Sequence, residues 1–178
     1  MSEAQARFEV LRQSADADAT AAIEALVRDA PDRALCRINV LDFAKKTGIN
    51  EEKVIAAFLH AARLGLFEMS WNVLCPGCGG VLDASATLKS VRRQEYTCAL
   101  CAAGYEATLD EMVEVTFTIS PLVRRIAAHD PNTLPIWEYF RQIFWGSGID
   151  LPDSIDGLAE EITLDAIELP PGEKAVLS

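Results

Sequence analysis

Four of the five cysteines fall in two Cys-x-x-Cys pairs, Cys75/Cys78 and Cys98/Cys101, nineteen residues apart within "WNVLCPGCGGVLDASATLKSVRRQEYTCALCAAGYE". A Cys-x-x-Cys turn aims two thiolates at one ion, and two such turns supply the tetrahedral sulfur set that Zn2+ prefers. Pro76 and Gly79, beside the first pair, are residue types that such turns favour. The expectation is a structural zinc site held by Cys75, Cys78, Cys98 and Cys101, with every corner filled by protein and no position left for a reacting water. A rubredoxin-like iron uses the same four thiolates, and spacing does not separate the two metals. A thioredoxin-type motif would be single and would open a helix in a βαβ unit, which the sequence lacks. Cys36 is left over and reads as a small buried hydrophobe, with redox sensing as its alternative.

Little else in the sequence points to chemistry. His60 falls on a predicted helix and His129 near a turn, and neither has a nucleophile or carboxylate partner nearby in sequence. Phosphate-cradling glycine patterns are missing, and "GSG" at 146–148 reads as a helix stop. No catalytic residue is predicted, and the chain reads as a non-enzyme.

The elements around the cysteines suggest how they are positioned. An Ala-rich stretch, "ADADATAAIEALVRDA", places Ile23, Leu26 and Val27 on one helical face before Pro31. "RALCRIN" is a candidate short strand. "NVLDFAKKTGINEEKVIAAFLHAARLGLF" then reads as two helices joined by a tight turn, with Asn39 and Asn50 as N-caps and Gly48 ending the first. In the second helix Ile55, Phe58, Leu59 and Ala62 share a face. The period changes to two in "LFEMSWNV", where Phe67, Met69, Trp71 and Val73 oppose Glu68, Ser70 and Asn72, and again in "MVEVTFTIS". These two strands should pair, with the cysteine stretch expanding the tip of their hairpin. "PLVRRIAAHD" suggests a short helix, and "PIWEYFRQIFWGSG" an amphipathic helix with Ile136, Tyr139, Phe140 and Ile143 on one face. Trp137, Phe144 and Trp145 make that helix unusually aromatic, so it should dock on the earlier helices or on a partner.

The expected fold is α+β: a winged-helix-like helical domain with a four-cysteine zinc ribbon inserted in the wing hairpin, followed by an aromatic helix. The expected divisions are 1–17, a flexible amino-terminal segment; 18–73, the winged-helix-like part; 74–106, the ribbon; 107–149, the return strand and aromatic helix; and 150–178, an acidic linker and incomplete β-hairpin. The tail "ITLDAIELPPGEKAVLS" stops just after a Pro-Pro-Gly turn. Such an ending suggests a fragment of a longer protein or a return strand supplied by a partner.

Charge bears on the choice of partner. The net charge of −11 is unevenly spread: from Asp150 onward eight acids face one lysine, whereas residues 33–93 carry nine basic residues against five acids. Four thiolates around a divalent ion would remove about half of that local excess. A recognition helix here would lead with Glu51 and Glu52, which repel phosphates, and it offers no Arg, Asn or Gln for base readout. Lys89, Arg92 and Arg93 sit in the ribbon loop and form, with Trp137 and Trp145, the candidate interaction surface. No apolar run approaches the length of a membrane span, and the amino terminus lacks the features of a secretory signal. The expected setting is therefore the reducing cytoplasm, where paired cysteines serve as thiols or metal ligands.

The stretches "LHAARLGLFEMSWNVLCPGCGG", "YTCALCAAGYEATLDEMVEVTFTIS" and "RIAAHD...WEYFRQIFWGSGIDLP" together resemble one family. It is the bacterial domain of unknown function found amino-terminal to class III adenylate/guanylate cyclase catalytic domains. The resemblance runs from about Ala22 to the end, and Cys75, Cys78, Cys98 and Cys101 match the family's cysteine pairs. It implies a regulatory or sensory module of cyclic-nucleotide signalling whose partner is a protein or an adjoining cyclase domain. The paired metal-binding aspartates and the transition-state arginine of a class III catalytic domain find no counterpart here, so cyclase activity would lie in a separate domain. The alternative is a zinc-dependent winged-helix transcription regulator that binds DNA.

Overall fold

The computed structural model describes residues 3–88, 95–106, 112–149, 151–154 and 156. Its helices are α1 (Glu3–Ser14), α2 (Ala17–Asp29), α3 (Val40–Thr47), α4 (Glu51–Arg63) and the short α5 (Ile136–Tyr139). Its strands are β1 (Phe67–Leu74), β2 (Val81–Ser85), β3 (Glu95–Cys98), β4 (Ala103–Glu106) and β5 (Val113–Ile119). The fold is α+β, with helices packed on one face of a three-stranded antiparallel sheet ordered β2-β1-β5 and a separate β3-β4 hairpin. Among the described residues no helix is long and apolar enough to cross a membrane.

Local chemistry explains most boundaries. The Asp16 carboxylate accepts from the amides of Asp18 and Ala19 and starts α2. Asn39 accepts from Leu41 and Asp42, and Asn50 accepts from Lys53, so both predicted N-caps form. Gly48, at φ +71°, ends α3 with its N–H on the Ala44 carbonyl. At the end of α4, Gly65 is again left-handed (φ +71°) and Leu66 N–H returns to the Ala61 carbonyl. The same carbonyl end is closed from outside by Arg7 of α1, whose Nη1 donates to Leu64 and Gly65 at 2.9 and 3.1 Å.

Phe58 is the centre of the core. Its ring lies 5.3 Å from those of Phe43, Phe67 and Phe117, which ties α3, α4, β1 and β5 into one aromatic cluster. Leu11, Ile23, Leu35, Val54, Leu66 and Ile119 complete it, all fully buried. The buried face of α4 is Val54, Ala57, Phe58 and Ala61. It is rotated by about one residue from the predicted face, and Leu59 is exposed while Ile55 and Ala62 lie at the margin.

The predicted pairing of the two alternating strands forms, from Phe67 opposite Ile119 to Val73 opposite Val113. β2 was not anticipated; it joins the free side of β1 through a bulge at Val73/Leu74. The polar face of the sheet is covered as well: Asn72 and Thr116 are buried there, because residues 140–147 fold across it.

Other expectations need correction. Residues 1–17, read as a flexible segment, hold α1, which buries Leu11 and lends Arg7 to α4; its weak amphipathicity concealed it. "RALCRIN" is a 3-10 turn (Asp32–Leu35) with a single bridge from Ile38 to Phe117. "PLVRRIAAHD" is not one helix but a turn followed by the 3-10 segment Ala127–His129. There Arg124 reaches away to the Val27 and Ala30 carbonyls at the end of α2. The aromatic helix is only α5, continued by a wide π turn over Phe140–Phe144 in which Trp145 N–H reaches the Phe140 carbonyl. The incomplete hairpin expected in the acidic tail lies outside the described residues.

If α1 belongs to the core, Leu11→Ala should destabilise the fold by about 2–5 kcal/mol in urea denaturation, as expected for emptying a buried leucine site. A change below about 0.5 kcal/mol would return residues 1–17 to the status of an accessory segment.

Candidate metal centre

The hairpin expansion brings together the four cysteines that the spacing predicts. Their sulfur atoms all lie within 4.8 Å of one another, with Cys75–Cys101 at 3.8 Å and Cys78–Cys98 at 3.6 Å. Sulfurs at the corners of a tetrahedron with bonds of about 2.3 Å are about 3.8 Å apart, so the donor set fits a tetrahedral thiolate-bound ion. None of the four forms a disulfide. Cys75 and Cys98 are buried, while Cys78 and Cys101 line the outer side.

The first turn starts where β1 ends. Cys75 N–H donates to the Gly80 carbonyl at 2.7 Å, and Gly79 N–H to the Cys75 carbonyl at 2.8 Å, with Gly79 at φ +71°. The second pair sits at the β3-β4 turn, where the Cys101 amide points at the Cys98 sulfur at 3.5 Å and Ala102 takes a positive φ. Gly77 is needed for clearance: a Cβ there would lie 2.9 Å from the Tyr105 hydroxyl and 3.1 Å from the Cys101 sulfur.

The environment separates the thiols electrostatically. Burial raises the pKa of Cys75, but the amides of Cys78 and Gly77, together with hydrogen bonds from Cys98 and Tyr105, outweigh burial and bring it down to about 6. Cys78 is pushed up to about 12, first by burial and then by the neighbouring cysteines. Thiolates this close repel, so full ionisation of the set calls for a cation at its centre.

A second group of residues anchors this centre to the fold. The Trp145 indole N–H donates to the Cys78 carbonyl at 3.0 Å, Gly146 N–H donates to the Gly79 carbonyl at 2.8 Å, and Gly80 pairs with Trp145. Gly146 is thus a point of close approach, where a Cβ would lie 2.9 Å from Leu74, rather than the simple helix stop expected of "GSG". Behind it, Arg37 on the bridge between α2 and α3 donates Nη1 to the Ile143 and Trp145 carbonyls at 2.9 and 2.6 Å. Its Nη2 pairs with Glu114 of β5, and both side chains are only 12% exposed. Glu114 also accepts from Asn72 at 3.2 Å and from the Ser147 amide and hydroxyl at 3.0 and 2.8 Å.

Cys36, expected as a small buried hydrophobe, is only partly buried and uses its thiol as a donor. Its sulfur lies 3.5 Å from the Gln142 carbonyl, and burial raises its pKa to about 11 against a smaller opposing pull from Arg37. His129 has both ring nitrogens engaged, with the Ile126 amide and the Ile119 carbonyl. His60 is exposed on α4. Among the candidate interaction residues, Trp145 is committed to the cysteine turn and to Phe140 and Phe144. Trp137 is half-buried, with its N–H on the Pro152 carbonyl at 3.2 Å. Lys89, Arg92 and Arg93 lie outside the described residues.

The Arg37–Glu114–Asn72 network was not foreseen. The alternation of the two strands could have placed Asn72 opposite Glu114, as they are. Nothing local pointed to Arg37, which lies 77 residues from its partner.

Fold and site together define a mixed helix-and-sheet protein with a four-thiol, metal-type centre at the tip of its sheet. The chain belongs to the Family of unknown function (DUF5939), whose profile matches residues 1–178. No curated protein and no solved structure matches it significantly.

Glu114→Ala should destabilise the fold by about 3–5 kcal/mol, because it strands a buried guanidinium. Trp145→Ala should cost about 3 kcal/mol. Chemical denaturation followed by circular dichroism measures both, and wild-type stability in either variant would show that the contact is dispensable.

Proposed function

We propose that this chain is a non-catalytic regulatory or sensory module whose four cysteines bind a structural zinc ion, and that it serves cyclic-nucleotide signalling through a class III cyclase domain. The observation that carries the reading is the closed sulfur tetrahedron: four protein donors at metal-binding spacing leave no corner for a substrate or an activated water. Such a site holds structure and does not turn over. Zinc is proposed over iron as the redox-inert ion that favours a closed tetrahedral thiolate shell in structural sites.

The winged-helix reading belongs to the same proposal. In chain order α2, the Ile38 bridge, α3, α4, β1 and β5 follow the helix-strand-helix-helix-strand-strand sequence of that fold, and Ile38 pairs with β5, which pairs with β1. The four-cysteine insertion and β2 then occupy the wing. The cyclase link rests on the resemblance of the three quoted stretches.

The DNA-binding alternative is disfavoured at the leading end of α4. Glu51 and Glu52 are exposed there, and Lys53 is paired with Asp16 at 2.8 Å. Titration with nonspecific duplex at low salt should show no salt-dependent binding, and clear binding would favour the transcription-regulator reading.

Protein purified without chelators should carry one zinc per chain by elemental analysis. Cys98→Ser should lose that metal and melt at lower temperature, since metal binding at such sites contributes folding free energy. Thiolate-to-iron absorption would replace zinc with iron, and a metal-free protein of unchanged stability would remove the site. For the regulatory role, a class III catalytic domain encoded in the same or a neighbouring reading frame should change its cyclase rate when paired with the Cys98→Ser chain. An unaltered rate would defeat the regulatory reading while leaving the metal site standing.

A further inference from the structure

A cleft of about 340 Å³ opens between the 3-10 turn and α3 on one side and the aromatic segment on the other, and none of the four cysteines lines it. Its lining includes the apolar Leu26, Phe43 and Trp145, the basic Arg33 and Arg141, and the acidic Asp42 and Glu138. These two guanidinium groups come from chain positions more than a hundred residues apart and converge on one carboxylate oxygen. Asp153 Oδ1 lies 2.8 Å from Arg33 Nη1 and 3.0 Å from Arg141 Nη2.

The three partners differ in how firmly they are held. The Arg141 side chain is only 15% exposed and is steadied by Glu138, which in turn accepts from Gln142. Asp153 is 81% exposed, on the segment that follows the aromatic turn. A fixed, largely buried guanidinium is therefore matched to a carboxylate standing in solvent, and an ion pair exposed on that side exchanges easily with an external anion. The pair of arginines keeps the Asp153 carboxyl below the usual carboxylate range, Arg33 contributing most and Arg141 next.

We propose that Asp153 is an internal stand-in for an anionic ligand, and that Arg33 and Arg141 form a site for the phosphate group of a small phosphorylated molecule. One Asp153 oxygen now serves both arginines, whereas a phosphate presents separate oxygens to each and carries more charge, the pattern that planar guanidinium groups bind best. The apolar residues of the lining are placed to cover the remainder of such a molecule, and the volume is at the small end of ligand-sized clefts. Lys46 also lines the cleft but is matched there by Asp42 at 2.6 Å, so the two arginines carry the anion contact. Displacement of Asp153 would loosen the 151–154 segment, which Trp137 holds through the Pro152 carbonyl. Occupancy would thus be passed to the aromatic segment that braces the cysteine turn. The site itself does not depend on the metal reading.

The test is calorimetric titration of the whole chain with pyrophosphate at constant ionic strength set by chloride, with tryptophan emission recorded in parallel. Saturable binding is expected in the wild type. Asp153→Asn should tighten it by about tenfold, because the competent site is no longer mostly occupied by the chain itself. Arg33→Gln, at a half-exposed position whose loss should leave the fold intact, should weaken it by about tenfold. Absence of saturable binding to both wild type and Asp153→Asn would overturn the proposal. So would an affinity that Asp153→Asn fails to raise, or one that Arg33→Gln leaves unchanged. Since every arm can be read with or without bound metal, failure here is distinguishable from failure of the zinc site.

Discussion

The pairing of Arg37 with Glu114 is the constraint around which the second half of the molecule is arranged. A guanidinium and a carboxylate, each only 12% exposed, call for partners at their remaining hydrogen-bonding positions, and the chain supplies them from three directions, leaving Arg37 Nε without one among the described residues. Asn72 comes from the neighbouring strand, Ser147 from the aromatic segment, and the Ile143 and Trp145 carbonyls from the end of the π turn. Each partner is therefore bound to the position of the others. The polar face of the sheet, which alone would face water, becomes an interior surface because this pair lies on it.

The cysteine centre and the aromatic segment depend on each other through that arrangement. Arg37 fixes the carbonyl end of the π turn, which fixes Trp145, and Trp145 holds the Cys78 carbonyl while Gly146 holds Gly79. One of the two cysteine turns is therefore braced from outside the hairpin that carries it, and the other is set by the short β3-β4 ladder. On the proposed reading, an ion would join the two turns and complete a closed path from the helical core, through the sheet and the aromatic segment, back to the hairpin tip. A hairpin as short as β3-β4 is marginal alone, which gives such an ion a structural task.

What could be read from the sequence was what depends on neighbours in sequence. Asn39, Gly48 and Asn50 act within one helical turn, and all three do what their residue types indicate. The alternation in β1 and β5 was strong enough to give both strands and their pairing, and the Cys-x-x-Cys spacing gave the four sulfurs. What escaped was decided over long separations. α1 has too weak an apolar stripe to declare itself, and is held by Leu11 in the core and Arg7 on the end of α4. β2 exists because β1 offers a free edge, and the predicted aromatic helix widens into a π turn where its carbonyls are taken by Arg37.

The arginines show why composition alone misleads about partners. Arg7, Arg37 and Arg124 each close the carbonyl end of a helix or turn remote in sequence, at the end of α4, the π turn and α2 respectively. This is what the negative end of a helical segment favours, and it uses the planar, multi-donor geometry that lysine lacks. Their charge is therefore spent inside the protein. Lys53 is likewise matched, to Asp16. Of the basic residues counted between 33 and 93, Arg37 is turned into the fold and Lys53 is paired at the start of α4, which weakens the electrostatic case for a nucleic-acid partner at the helix-turn-helix. Arg33 and Arg141 differ from these in one respect: they meet on a carboxylate that stands in solvent. Cations matched by buried groups or by the backbone are committed to the fold, while cations matched by an exposed, exchangeable group remain available to a ligand.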